Sequence, residues 1–419
     1  MSRLFVIPKL TLSLLWLLLL LVACSSDPNS PDPIPSPTLS PAPATSAWGE
    51  IITVGQAEQS NAPAILPLDR NRLVIAWTAT ESNGFSQVIH FWDEAIAPDA
   101  NRLTLPATYA QGQWLTPVIT DRVHLLWLDI DLNAPNDGMR LWTATISPDL
   151  QIGLGTIRIS DRRTNHYSAV PTGDGGLSIV WSGGLLAEPS LYWQRIDFWG
   201  RSQYPTPIIT GGDWPILVYV NPTLYLFWLG VPDGQIYRAT LSNGAPENVT
   251  VIGSSVALNR GDRLATFSAG VDVTHIYLFW NIVRADGEAQ TWFTAGAPTA
   301  TSWNPPAQMG IAVSDIPFET GFNGGAGLRA VAGTTWLSQV APLTGQADTL
   351  AIAAQVEATL GIIYLRAGEI TGFQRVVALA EPGLIGMPSF AADRNRHLYL
   401  AWSQPTLNGY ADLNLTMTR

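Results

Sequence analysis

The chain has 419 residues, with one cysteine, 17 tryptophans, 13% charged residues and a net charge of −11 from 22 basic and 33 acidic side chains. Its one lysine is Lys9, near the N-terminus, so the rest of the chain holds no lysine-dependent phosphate loop, Schiff base or kinase site. The lone Cys24 excludes an intramolecular disulfide, a cysteine-rich zinc site and a cysteine nucleophile in a folded domain, and the acidic balance argues against nucleic-acid binding.

Residues 1–23 have the pattern of an export signal. Arg3 and Lys9 precede an apolar run from Leu10 to Val22, which matches a signal-peptide core and is too short for a comfortable membrane span. The run ends in Leu21-Val22-Ala23-Cys24, which resembles the bacterial lipoprotein box. That resemblance implies cleavage before Cys24 and acylation of the cysteine, so that lipid anchors the chain to a membrane without spanning it. Ser25 follows instead of Asp, which points to the outer membrane where the host has one.

Residues 24–46 read as a linker, with prolines at 28, 31, 33, 35, 37, 41 and 43 and almost no apolar bulk. Such a segment cannot bury a core, and Pro-rich chain of this length reaches up to roughly 60 Å.

From residue 47 to 419 strands dominate, and one unit recurs. A short apolar run ends in tryptophan at Leu73–Trp77, Val123–Trp127, Leu177–Trp181, Leu224–Trp228, Ile276–Trp280 and Leu398–Trp402, about fifty residues apart. The long gap before the last run hides a copy without tryptophan, Leu350–Ala354. Upstream of the run lie a Pro-containing strand and a polar turn, as in Pro63–Arg72, Pro117–Arg122 and Pro388–Arg396. Downstream comes an aromatic strand marked by Trp92, Trp142, Trp193, Tyr237, Trp292, Tyr364 and Leu413, then a short fourth strand. Seven such units predict an all-β, seven-bladed β-propeller, with six to eight blades left open by the irregular sixth unit. The last unit lacks a fourth strand and Ile51–Val54 is a spare one, so pairing them closes the ring and removes open sheet edges. The repeat tryptophans are then expected to fill the contacts between blades. Between Met309 and Thr349 the sixth unit carries extra residues, including Phe322-Asn323-Gly324-Gly325-Ala326-Gly327, either a loop over one face, a lengthened first strand or an irregular connector.

The pattern in Pro388–Trp402 and Pro63–Trp92 resembles the repeat of sialidase-like, Asp-box-type propellers of secreted bacterial proteins. The resemblance implies a fold. Its Asp boxes are degenerate; the nearest approach, Asp286–Trp292, has the wrong internal spacing. The arginine triad, the Tyr and Glu pair and the acid Asp of sialidases fall on no motif of this chain.

Four constellations bear on chemistry. Asp129, Asp131 and Asn133, with Asp137, have the oxygen spacing of a calcium loop, but Ala134 replaces the turn glycine and Arg140 the bidentate glutamate, so a solvated acidic loop accounts for them better than a metal. Arg70-Asn71-Arg72, Asp121-Arg122 and Arg394-Asn395-Arg396 recur at one turn and read as hairpin chemistry. Asp161, Arg162, Arg163 and His166 lie between units on the opposite face and form the candidate ligand site. His90, His124, His275 and His397 read as strand-edge histidines, and Trp114, Trp199, Trp214, Trp303 and Trp336 stand outside the repeat, where tryptophan can stack on sugars. No cofactor, metal site or catalytic residue is expected. The chain reads as an extracytoplasmic platform on the bacterial cell envelope, partnered by membrane lipid through Cys24 and by envelope proteins or glycans, not nucleic acid. The alternative is a sialidase-like glycoside hydrolase or a carbohydrate-binding lipoprotein. Calcium at Asp129, Asp131 and Asn133 stays open at this point.

Overall fold

The computed structural model describes residues 48–419 except 59–60, 70–71, 83, 94–99, 119–121, 134, 136–137, 186–187, 232, 257, 273, 287–288, 309–328, 331–348, 357–358, 379–387, 394–396, 407–409 and 419. The signal segment, Cys24, the linker and most of the 309–349 segment therefore lie outside the described residues.

After β1 (Ile52–Ala57) the chain forms seven four-stranded antiparallel sheets. Blade one holds β2 (Ala64–Asp69), β3 (Arg72–Glu81), β4 (Gly84–Asp93) and β5 (Arg102–Pro106), and blade two β6 (Gln111–Pro117), β7 (Val123–Ile130), β8 (Met139–Ile146) and β9 (Ile157–Arg158). Blade three holds β10 (Thr164–Pro171), β11 (Leu177–Leu185), β12 (Glu188–Ile196) and β13 (Thr206–Thr210), and blade four β14 (Gly212–Val220), β15 (Thr223–Gly230), β16 (Gln235–Ser242) and β17 (Ala245–Ser255). Blade five holds β18 (Arg263–Val271), β19 (Ile276–Val283), β20 (Ala289–Gly296) and β21 (Ala307–Gln308), and blade six β22 (Arg329–Ala330), β23 (Thr349–Val356), β24 (Thr359–Arg366) and β25 (Glu369–Ala378). The last sheet runs β1, β28 (Ala411–Met417), β27 (Leu398–Pro405), β26 (Ser389–Ala392), so the first strand of the chain is the outer strand of blade seven.

This is the expected seven-bladed propeller, and its closure is the expected one. Ile52 pairs with Leu415 and Ala57 with Ala411, and Trp48 makes a further bridge to Thr418. The Trp77 indole donates to the Gln56 carbonyl at 2.9 Å, and Arg102 donates to the Val54 carbonyl, which ties the closing strand to blade one as well.

The repeat tryptophans are buried to 3% exposure or less. Each packs towards the preceding blade: Trp127 with Leu105 and Ala110, Trp181 with Leu126 and Trp114, Trp228 with Leu191 and Val170, Trp402 with Ile362 and Tyr364. A flat, two-ring side chain suits this place because adjacent twisted sheets leave a wedge-shaped gap that smaller residues cannot fill. Two details differ from the sequence reading. The tryptophans stand in mid-strand, since β3 and β7 continue past Trp77 and Trp127. The third-strand aromatics also do not share one register: Trp142, Tyr237 and Trp292 face the repeat tryptophan, but opposite Trp181 stands Tyr192, not Trp193.

Turn chemistry sets the hairpins. Asn243-Gly244 joins β16 to β17 with φ of 49° and 81°, the two-residue turn whose twist matches the strands it connects. At the turns from first to second strand, Asp272 accepts the Thr274 and His275 amides and the Tyr277 hydroxyl, and Asp393 accepts the His397 amide and the Tyr399 hydroxyl. His275 and His397 thus close a repeated turn, each just before its second strand. On that turn face an apolar funnel of about 380 Å³ opens on the axis, with Pro67, Pro117, Pro171, Tyr219, Val271 and Ala392 at equivalent positions of six blades.

Candidate functional site

The opposite face is where the inner strands begin. In blades two to five each inner strand breaks register near its start, between Gln111 and Trp114, Thr164 and His166, Asp213 and Ile216, and Leu264 and Thr266. Such bulges put an extra residue in the strand and re-aim side chains next to it. His166 lies across from Ser182 and Asp213 across from Leu229, each partner being the residue after its blade's repeat tryptophan. His166 and Asp213 therefore hold the same position in consecutive blades, and the contact between blades brings them together.

His166 Nδ1 lies 2.9 Å from Asp213 Oδ1. The imidazole stacks on Trp214 with ring centroids 3.4 Å apart and planes 19° from parallel. Trp214 holds a φ of 52°, a conformation that costs a non-glycine residue energy and is found where the surroundings enforce it. Its amide donates to Asp213 Oδ1 at 2.8 Å. Burial pushes the Asp213 carboxyl up, yet the hydrogen bond and charge of His166, with bonds from Ser182 and the Trp214 amide, outweigh it and hold the group below the usual carboxylate range. Ser182 Oγ also accepts the His166 amide at 3.2 Å. The carboxylate fixes Nδ1 as the engaged nitrogen, and Nε2 has no protein partner among the described residues. With 26% of the His166 side chain exposed, the imidazole is reachable and oriented.

The four residues singled out from sequence separate into two groups. Arg162 grips Asp161 with Nε and Nη2 at 3.0 and 3.1 Å, donates from Nη1 to the Tyr192 hydroxyl at 2.9 Å, and lies 4.8 Å above that ring. Tyr192 in turn stacks on Trp181, on the side of blade three that faces blade two. The Arg162 guanidinium holds the Asp161 carboxyl below its ordinary range, and Arg140 contributes. Arg162 is therefore already neutralised. Arg163 is not: it is exposed, its stem lies 3.2 Å from where a Cβ on Gly138 would stand, and its guanidinium meets no hydrogen-bond or ionic partner among the described residues. His166 turns the other way, to blade four.

The calcium spacing at Asp129, Asp131 and Asn133 has a structural explanation: the two aspartates turn inward while Leu132 and Asn133 are exposed, and Asp137 lies outside the described residues. Asp129 and Asp131 are 5% and 2% exposed. The Asp129 oxygens accept the amides of Thr108, Tyr109 and Ile130, while Asp131 accepts the Asn133 amide and pairs with Arg158. No group of three or more His, Cys, Asp or Glu side chains placed to hold a metal occurs among the described residues.

His124 is fully buried between Thr145 and the Gly175 carbonyl, and burial lowers its pKa to about 4. Trp114 and Trp303 are core residues, Trp199 is exposed beneath Arg122, and Trp336 lies outside the described residues. Sequence reasoning missed Asp213 and had Trp214 only as a stray tryptophan. The signal was present: Asp213 follows His166 by 47 residues, one repeat, which places both on the same rim of neighbouring blades.

No protein-family model and no curated protein sequence matches the chain. Solved structures do. The polysaccharide lyase Uly1 superposes with a TM-score of 0.55 at 9% identity, over 90% of this chain and 92% of that one. An ulvan lyase of polysaccharide lyase family PL25, bound to -[GlcA(1-4)Rha3S]-, gives 0.53 at 8% identity, over 87% and 95%. The sialidase of Trypanosoma rangeli gives 0.41 at 10% identity, over 86% of this chain and 55% of that one. At such identities the likeness is one of fold, an all-β seven-bladed propeller.

Proposed function

We propose that the chain acts on an acidic polysaccharide at the rim of blades three and four, with His166 as the base of an elimination. The observation that carries the reading is the imidazole held by Asp213 at 2.9 Å and stacked on Trp214, with Nε2 left for a substrate. A base at this position takes the proton on the carbon next to a uronate carboxylate. The electron pair forms the double bond to the neighbouring ring carbon, the glycosidic C–O bond there breaks, and the departing oxygen takes its proton back from the imidazolium. Trp214 supplies a surface for a sugar ring.

Glycoside hydrolysis fits less well. It uses two carboxyl groups, one of them kept protonated as the acid. On this face Asp131, Asp161 and Asp213 are all displaced downward, towards permanent ionisation. The reading thus moves from a non-catalytic platform to a glycan-active protein, in keeping with the polysaccharide lyases that share the fold.

Acylation at Cys24 is part of the proposal. Trp48 pairs with Thr418, whose amide bonds to Leu398 at the start of a second strand, so the chain joins the ring on the turn face.

The test is incubation of the full chain with glucuronate-containing polysaccharides, including one of glucuronate and 3-sulfated rhamnose, following ultraviolet absorbance of the unsaturated product and, separately, reducing ends. Absorbance that His166→Ala abolishes is expected. Reducing ends without absorbance would mean hydrolysis and refute the elimination; binding without turnover would restore the platform.

A further inference from the structure

We propose that the connection from β12 to β13 holds the polysaccharide at a second place, with a sugar ring stacked on Tyr204 and its polar edge bonded by Gln203 and Arg158; the inference rests on the reading of the chain as one that acts on an acidic polysaccharide. Residues 197–205 expose three aromatic side chains, Phe198 at 39%, Trp199 at 44% and Tyr204 at 96%. Phe198 and Trp199 lie against one another with ring centroids 4.4 Å apart, and Arg122 stands over Trp199. Tyr204 is almost wholly in solvent, so both faces of its ring are open. It borders a cleft of about 350 Å³ between blades two and three, lined also by Arg158, Asp161, Gln194, Ser202 and Gln203, a size that suits a small ligand.

The backbone beneath these rings is fixed. Asp197 accepts the amides of Trp199 and Arg201 and pairs with the Arg201 guanidinium, Ser202 bridges to Ile196, and the Gln203 amide and carbonyl are bonded to the Arg195 carbonyl and to Gln194. The repeat provides an internal control. The same turn, with the amide of its fourth residue bonded to the carbonyl of its first, closes blade two from Ser147 to Leu150, blade three from Asp197 to Gly200 and blade five from Ala297 to Ala300. Where blade three has Phe198-Trp199, the others have Pro148-Asp149 and Pro298-Thr299. Gln203 bonds back to Arg195 as Gly153 does to Thr145, which matches Tyr204 with Leu154. Building a blade therefore calls for no aromatic ring at these positions, and three exposed rings on one rigid connection mark a surface that meets a partner.

The lining of the cleft selects the partner. Gln194 is spent on the Ile159 and Gln203 carbonyls and the Trp181 indole, and Asp161 is held by Arg162. The Gln203 carboxamide is exposed and meets no partner among the described residues. Arg158 uses Nη1 on Asp131, with its side chain 47% exposed and no described partner at Nε or Nη2. An apolar protein anchor would find polar groups beside the ring. A pyranose has an apolar C–H face for Tyr204 and an edge of hydroxyls for the donor and acceptor of Gln203, and a carboxylate or sulfate on it suits Arg158. The cleft lies on the blade-two side of blade three, whereas His166 turns to blade four, so it is a place distinct from the rim where the chemistry is set.

The experiment measures affinity of the full chain for the polysaccharide of glucuronate and 3-sulfated rhamnose by affinity electrophoresis, in a His166→Ala background that prevents turnover, with and without Tyr204→Ala, Tyr204→Phe and Gln203→Ala. Tyr204→Ala is expected to weaken binding about tenfold and Gln203→Ala several-fold, while Tyr204→Phe keeps the ring and binds as the parent does. Melting temperatures should not move, since Tyr204 is 96% exposed. In the chain with His166 intact, Tyr204→Ala should raise KM for the polymer with kcat within about twofold. Affinity unchanged by Tyr204→Ala, alongside a wild-type activity that His166→Ala abolishes, would overturn this inference and leave the reading of the rim standing. Affinity that Tyr204→Ala lowers, in a protein that turns nothing over, would keep the cleft as a glycan site and remove the elimination. A wild type that neither binds nor turns over any uronate polysaccharide removes both.

Discussion

Removal of the closing strand tests the architecture most directly. Deleting residues 48–57 takes away the whole β1 ladder on β28, the Trp48 to Thr418 bridge and the buried Val54 and Ala57. Four further bonds go with it: Trp77 to Gln56, Arg102 to Val54, Thr53 to Asn414 at 3.0 Å and Thr416 to Gly49 at 3.1 Å. At about 1 kcal/mol net for each bond and about 2 kcal/mol for Val54, the loss is about 6 kcal/mol before the ladder is counted. A typical domain has only 5–15 kcal/mol in total. The deletion also uncovers β28, whose Leu413 and Leu415 are buried in the closed ring, as a free edge prone to aggregation. Urea denaturation of the purified variant, followed by tryptophan fluorescence, should show a collapsed or strongly lowered midpoint, with aggregation on standing. Val54→Ala provides a milder version that still folds and should lose about 2 kcal/mol. An unchanged midpoint in both proteins would mean that the ring does not depend on this strand and would refute the closure argument.

Two other outcomes are expected. His124 is held neutral by burial with a pKa of about 4 against an ordinary 6.5, so its contribution is complete above pH 6.5 and is lost as pH falls towards 4, by about 3 kcal/mol; His124→Gln should flatten the stability profile across that window, and an unchanged acid limb in denaturation at stepped pH would contradict it. Cys24→Ser should move the protein from the membrane pellet to the soluble fraction on cell fractionation and abolish incorporation of labelled fatty acid; a pellet unchanged by the substitution would count against acylation at Cys24.

The candidate site was only half legible. Arg162 and His166 are neighbours in sequence, yet β10 sends their contacts to opposite sides of blade three, one to Tyr192 and the other to Asp213. Nothing local in Asp161–His166 reveals that Arg162 is spent on Asp161 while Arg163 is unpaired, because pairing depends on side-chain geometry at the end of a bulged strand. The acidic spacing at Asp129 and Asp131 likewise looked like an exposed loop; backbone amides from the preceding blade and Arg158 of the outer strand turn it inward. Trp214 could be counted but not assigned, since stacking on His166 joins residues one repeat apart.

By itself the sequence determined the repeat, the closing strand and the burial of the six tryptophans, and it counted seven units while the irregular sixth left six to eight blades open. These follow from a periodic apolar pattern, and a pattern repeated seven times is robust to local variation because every unit must bury the same face against its neighbour. What only the tertiary structure decided was which polar residues meet: His166 with Asp213 across the contact of blades three and four, and Arg162 with Tyr192 within blade three. Hydrophobic burial is non-directional and can be read from composition along the chain, whereas a hydrogen bond exists or fails within a few tenths of an ångström, and that distance is set by the packing of two blades.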